Sequence, residues 1–316
     1  MAVCKSLGYM NWCKGGFCLR NLRQGLLPFV EKEMLTFHKL LKTQLRHTHN
    51  QHVCTTTPKG FNSDCSTCDM WKNLIIRNHQ NPRTIQWNNS RLPLLTENPW
   101  EVAKMFMPRG QKFKFEASEI DVAAILNLLA NCKHFGKFMD RKNILEVIKV
   151  RNELMHSSDM EISQEQLSLF ANKMLIFLHD LKDLPSVQKA SEIIKKIQSG
   201  TLHLFMDRTS MDHVDGADTL LNIDMEQQDP DLEQLLLKER TMELFATMEE
   251  EGYKLTQQDS SALQLLLDII NSQEKLQTGL ADEQAQLRIL KTRFLDKGQD
   301  ESADAVKTEP TYSSCR

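Results

Sequence analysis

A chain of 316 residues, 41% apolar and 26% charged, is long enough for two domains with real cores. Its net charge of −3 excludes a global electrostatic pull toward nucleic acid or an anionic membrane. No apolar run reaches the roughly 18 residues of a transmembrane helix. The first residues, Met1-Ala-Val-Cys-Lys-Ser-Leu-Gly-Tyr9, lack the basic-then-apolar order of a signal peptide. The eight cysteines are therefore expected to be reduced, in a cytoplasmic or nuclear protein that is not secreted. Gly and Pro are few, while Leu, Met, Glu, Gln and Lys are common, which favours helix over sheet.

Residues 9–46 carry helical spacing through Trp12, Leu19, Leu22, Leu26, Phe29, Met34, Phe37 and Leu41, with Pro28 expected to kink or restart the helix. A His- and Thr-rich loop follows to about residue 64, then a short helix over 71–79. The Asn- and Pro-dense stretch 78–99 reads as loop or short strand. Pro99 sits where a new helix starts. Residues 118–132 form a strongly apolar helix that belongs near the centre. Asp140 is placed to cap the next helix, and Ser163-Gln-Glu-Gln166 is a capping box opening another to about residue 183. Pro185 ends that one, and a short helix covers 187–197. These elements make residues 1–199 one helical bundle. Asp-rich residues 200–231 read as an acidic linker. Residues 232–297 read as a coiled coil or helical hairpin, with Leu276, Leu280, Leu287, Leu290 and Phe294 on one seam. Residues 298–316 are polar and expected to be disordered.

The stretch that conflicts with its own pattern is Ile144-Leu-Glu-Val-Ile-Lys-Val-Arg-Asn-Glu-Leu-Met-His-Ser-Ser158. At about 100° per residue from Ile144, Val147, Ile148, Leu154 and Met155 form one apolar stripe. Arg151 falls at about 340°, inside that stripe, and Asn152 and His156 lie on its edge at about 80° and 120°. A guanidinium there is costly unless paired or hydrated. Such a conflict is expected where a site overrides packing. His can take or give a proton near neutral pH, and Arg offers a planar fork to phosphate oxygens. The competing reading is structural, with Arg151 paired to a carboxylate such as Asp121 or Glu116 and His156 satisfying the helix end.

Arg151-Asn-Glu-Leu-Met-His156 is an Arg-x4-His motif followed by two serines and another helix. It resembles the signature of the HEPN superfamily. Asn11-Trp12, Gly25-Leu-Leu-Pro-Phe-Val-Glu31, Cys65-Ser-Thr-Cys-Asp-Met-Trp71, and Asp121 before an apolar helix resemble the HEPN subtype of the DAZ-interacting zinc-finger ubiquitin ligase. The whole chain is similar to a vertebrate family labelled as an X-chromosome open reading frame. The HEPN resemblance covers roughly residues 9–185. It implies an up-and-down bundle, often dimeric, and in ribonuclease members metal-independent RNA cutting at a cleft between protomers. Arg151 and His156 are the matching positions, with Asn152 between them; many members serve only as interaction domains.

Two further candidates stand beside the motif. Cys65 and Cys68 have knuckle spacing, and Cys54 with a histidine, His79 or one of His47, His49 and His52, is expected to complete one structural zinc site; the competing reading is reduced, partly buried cysteines beside Trp71. Arg109-Gly-Gln-Lys-Phe-Lys-Phe115 interleaves cations with aromatics, either to contact RNA or as a loop anchored by two rings. Val306-Lys-Thr-Glu309 resembles a SUMO acceptor. The expected function is an interaction or RNA-binding scaffold that self-associates, with protein partners on the C-terminal helices. The alternative is a metal-independent endoribonuclease using Arg151 and His156.

Overall fold

A computed structural model describes residues 6–46, 65–200, 232–250 and 256–304. Cys54, the linker and Lys307 lie outside these residues, as do His47, His49 and His52. Among the described residues the protein is all-α, with eleven α-helices, several 3₁₀ turns and a single isolated bridge between His79 and Cys132. No helix is long and apolar enough to cross a membrane among the described residues.

The chain divides into two compact units. The larger holds residues 14–154 and, from 162 on, the two helices that follow. Its spine is α1 (Leu7–Arg46), whose first turns belong to the other unit. Trp12, Leu19, Leu22, Leu26, Val30, Met34, Phe37 and Leu41 are all buried along it. The helix does not restart at Pro28, which lies within it on the exposed side. There the carbonyl that loses its partner can turn to water, so the expected break is not made.

Gly25 marks a close approach to this spine. A methyl group on it would lie 2.7 Å from the Ala190 Cβ. Ala190 and Ser186 belong to α7 (Pro185–Gln198), and the Ser186 hydroxyl donates to the Gly25 carbonyl at 2.8 Å. The apolar α4 (Val122–Asn131) buries seven of its ten residues, and its N-cap Asp121 accepts from the Ala124 amide at 2.7 Å. It starts later than its composition suggests, because residues 117–119 form a separate 3₁₀ turn closed by Glu119. The capping box of α6 (Gln164–His179) forms as read, with reciprocal Ser163 and Gln166 bonds.

Three buried histidines serve this unit as neutral groups. The His38 Nε2–H donates to the Leu95 carbonyl at 2.7 Å. The His79 Nδ1 accepts the Asn81 amide at 3.0 Å, and its ring stacks on Phe106 with centroids 5.1 Å apart. The His134 Nε2 lies 2.9 Å from Glu33, yet burial outweighs that carboxylate, so the ring stays neutral and donates to it. Burial is the main cause holding all three below the usual imidazole range. The unfolded chain takes up these protons first as pH falls below about 6.5. Stability is therefore full above that pH and is lost below it. Melting curves between about pH 7.5 and 5.5 should show a decline of up to about 1.4 kcal/mol per pH unit for each histidine. A flat profile would contradict the buried neutral rings.

The smaller unit gathers the described parts of residues 1–13, 155–161 and the C-terminal helices. Those helices are α8 (Leu232–Glu250), α9 (Gln257–Ser272), α10 (Glu274–Gly279) and α11 (Ala281–Asp304). Leu276, Leu280, Leu287 and Leu290 are buried, together with Leu236, Leu244, Leu266 and Ile270. All four helices pack on one another within the chain. The Phe294 side chain lies outside the described residues. At the N-terminal end, the buried Tyr9 hydroxyl donates to Glu233 of α8 at 2.7 Å.

Candidate functional site

The Arg-x4-His stretch forms the end of α5 (Arg141–Met155) and the turn after it. Asp140 caps the start, accepting from the Lys142 amide at 2.8 Å. Ile144, Val147, Val150, Leu154 and Met155 are buried while Ile148 is only half-buried, so the stripe read from the sequence is present but shifted toward Val150. Arg151 stands within it and is half-buried, with its Nε among the buried polar atoms. Its Nη1 makes a long contact of 3.4 Å with the Asn152 Oδ1. The carboxylates considered as buried partners are used elsewhere. Asp121 caps α4 and pairs with Lys114 at 3.0 Å, and Glu116 belongs to the 3₁₀ capping box.

Asn152 and His156 are exposed. The division between the two units falls at Leu154, so Arg151 and Asn152 are described with the larger unit and His156 with the smaller. There the His156 Nε2 lies 3.1 Å from Glu243 of α8. Nothing in the sequence joins two residues so far apart, and only the fold of the smaller unit reveals the pair. The turn beyond it is tightly held. The Ser157 hydroxyl donates to Asp159 at 2.6 Å, the Glu161 amide donates to the same carboxylate, and buried Met160 adopts a left-handed φ of 51°.

Of the expected zinc ligands, Cys54 lies outside the described residues, and His79 lies apart from Cys65 and Cys68. Cys65 is the N-cap of α2 (Ser66–Asn78), Cys68 lies one turn on, and both are buried. His79 caps the opposite end of this helix. Thirteen residues of α-helix separate the ends by about 20 Å, so His79 cannot share an ion with the two cysteines. It is instead the buried ring stacked on Phe106. Among the described residues no group of three His, Cys, Asp or Glu side chains is arranged to hold a metal.

The basic run is built more firmly than its sequence suggests. Glu101 of α3 (Pro99–Ala103) and Lys104, just after it, are both fully buried. The Lys104 ammonium donates to Glu101 at 3.0 Å and to the carbonyls of Lys112 and Lys114 at 3.4 and 3.2 Å. Arg91 grips the same carboxylate with its Nε and Nη2 at 2.9 and 2.8 Å. Buried Asn89 ties the other side, donating to the carbonyls of Lys104 and Pro108 and accepting from the Gln111 amide. Gly110, at a φ of 91°, makes the turn between them. A loop anchored by two aromatics was one expectation here. The anchor is ionic instead, and the rings remain at the surface: Phe113 is 77% exposed and Phe115 43%.

A family described as a domain of unknown function, DUF4559, matches residues 5–308. The chain belongs to this family. It is also 32% identical over 310 residues to the "Uncharacterized protein CXorf38 homolog" of Mus musculus, an alignment covering 96% of this chain and 94% of that one. No solved structure matches the chain. The DUF4559 match runs through both compact units, so the C-terminal helices are as much part of the family as α5 and its motif.

Proposed function

We propose that this chain is an interaction scaffold that associates with a second copy of itself and does not cut RNA. The observation that carries the reading is an open groove between α6 and α7, with a volume of about 680 Å³. Ile176, which lines it, is 58% exposed, and Leu169, one heptad back on the same face of α6, is 51% exposed. Large apolar side chains presented together on one helix face mark an association surface. The groove also carries Lys182 and Lys195 beside Asp180 and Glu192. A rim of both signs can complement itself about a two-fold axis, which favours a second copy over a strongly charged partner.

His156 supports the non-cutting part. A phosphate approaching its ring meets the Glu243 carboxylate already 3.1 Å away. The second reading, a metal-independent endoribonuclease through the Arg151, Asn152 and His156 motif, draws on the same pair. A carboxylate at that distance also orients an exposed imidazole for proton transfer.

Light scattering on the full chain tests the association. The wild type should be dimeric at micromolar concentration. Leu169→Asp combined with Ile176→Asp should be monomeric with nearly unchanged melting, because both side chains are exposed. A monomeric wild type, or a dimer that survives the double substitution, would sink the reading.

A further inference from the structure

The loop at residues 109–116 displays aromatic rings and cations together on a rigid mount. Phe113 and Phe115 are both exposed. The Lys112 ammonium stands 5.8 Å from the centroid of the Phe113 ring, and the Arg91 guanidinium lies 4.3 Å from that of Phe115. Lys112 and Arg109 are exposed as well. The nearby acids are mostly engaged: Glu119 accepts the amides of Phe115 and Glu116, and Asp121 takes Lys114. Arg109 and Lys112 are the exposed cations beside the rings, while Arg91 is already paired with Glu101, and Glu116 and Glu119 keep their charge.

The mount is the more telling feature. A buried ion pair adds little stability over apolar residues of the same volume, whereas it fixes one geometry. Here the buried ammonium of Lys104 holds the two carbonyls that flank Phe113. The product of that arrangement is a fixed loop from which Phe113 projects into solvent. An exposed Phe gains nothing from the fold, so rigid presentation points to a ligand that stacks on it.

We propose that residues 109–116 form a stacking platform for single-stranded nucleic acid, unpaired bases lying on Phe113 and Phe115 and phosphates pairing with Arg109 and Lys112. This goes beyond self-association and uses different residues. Unpaired bases offer π surfaces to the rings, which bases stacked in a duplex do not, and the cations match the phosphate spacing without requiring a globally basic protein. A protein partner would use the rings as apolar contacts only.

Fluorescence anisotropy of a labelled single-stranded oligo(U) with the full chain tests this, beside a duplex RNA of equal length. Binding to the single strand should be tighter, and two phosphate contacts give a salt slope of about −1.4. Phe113→Ala should weaken binding about tenfold or more, as expected for loss of one base stack. Phe113→Leu should weaken it almost as much, because an apolar side chain without a ring cannot stack; an apolar protein contact would survive that change. Lys112→Glu should abolish binding at physiological salt. All these side chains are exposed, so matched melting curves establish that each variant folds. Leu169→Asp with Ile176→Asp should leave each protomer's affinity for the oligonucleotide unchanged, which separates failure of the platform from failure of the association. No binding by the wild type at low salt, equal binding to duplex, or full affinity in Phe113→Ala would overturn the proposal.

Discussion

Glu101→Ala should lower folding stability by about 3–5 kcal/mol, because it leaves a buried ammonium without its counter-charge. The Lys104 ammonium would retain only the carbonyls of Lys112 and Lys114. Arg91 would lose a bidentate partner at the same moment. Arg91→Ala should cost less, since that side chain is 38% exposed and its removal leaves the inner pair intact. Replacing both inner partners, Glu101→Leu with Lys104→Met, should restore much of the loss, as apolar pairs of similar volume often match a buried ion pair. Urea denaturation of the three variants checks the order. A loss below about 1 kcal/mol for Glu101→Ala would mean that the ammonium reaches water, which its complete burial opposes.

Phe106→Ala should be comparably damaging, at about 3–5 kcal/mol. Phe106 is fully buried and joins two parts of the larger unit. On one side it meets Phe37 of α1, with ring centroids 6.3 Å apart, and on the other it stacks on His79. Its backbone carbonyl also receives the Asn131 side chain at the end of α4. Truncation opens a cavity at a junction of α1, α4 and the end of α2, where neighbours fixed by hydrogen bonds cannot close in. It also gives His79 access to water, so the decline in stability below pH 6.5 should become shallower in this variant. Thermal melts at two pH values measure both effects, and an unchanged pH profile would show that Phe106 does not shield the imidazole.

What could be read from the sequence divides along a physical line. Local signals were legible. The Ser163 and Gln166 capping box, the Asp140 cap and the apolar stripe of α5 depend on residues within a turn or two of one another, and each is present. Pro28 misled because the cost of proline depends on which side of the helix faces water, and that is a tertiary fact. Glu101 and Lys104 are three residues apart, and nothing in that spacing marks them as buried. Only the approach of Arg91 and of the loop carrying Phe113 makes them a buried cluster. The pairing of His156 with Glu243 joins α8 to the turn after α5, a separation no periodicity can reveal. His79 was grouped with Cys65 and Cys68 by residue type, and the length of α2 separates them.

The proposal that this chain is a scaffold that leaves RNA uncut meets its most direct test in one assay. Single-stranded RNA is incubated in EDTA with the full chain and with His156→Ala, and the products are resolved by size and end group. Metal-independent cutting would pass through attack of a 2′-oxygen on phosphorus with departure of the 5′-oxygen, leaving a 2′,3′-cyclic phosphate. His156 is exposed, so its replacement leaves a folded control. The RNA should stay intact with the wild type. Cyclic-phosphate products made by the wild type and absent with His156→Ala would contradict the proposal.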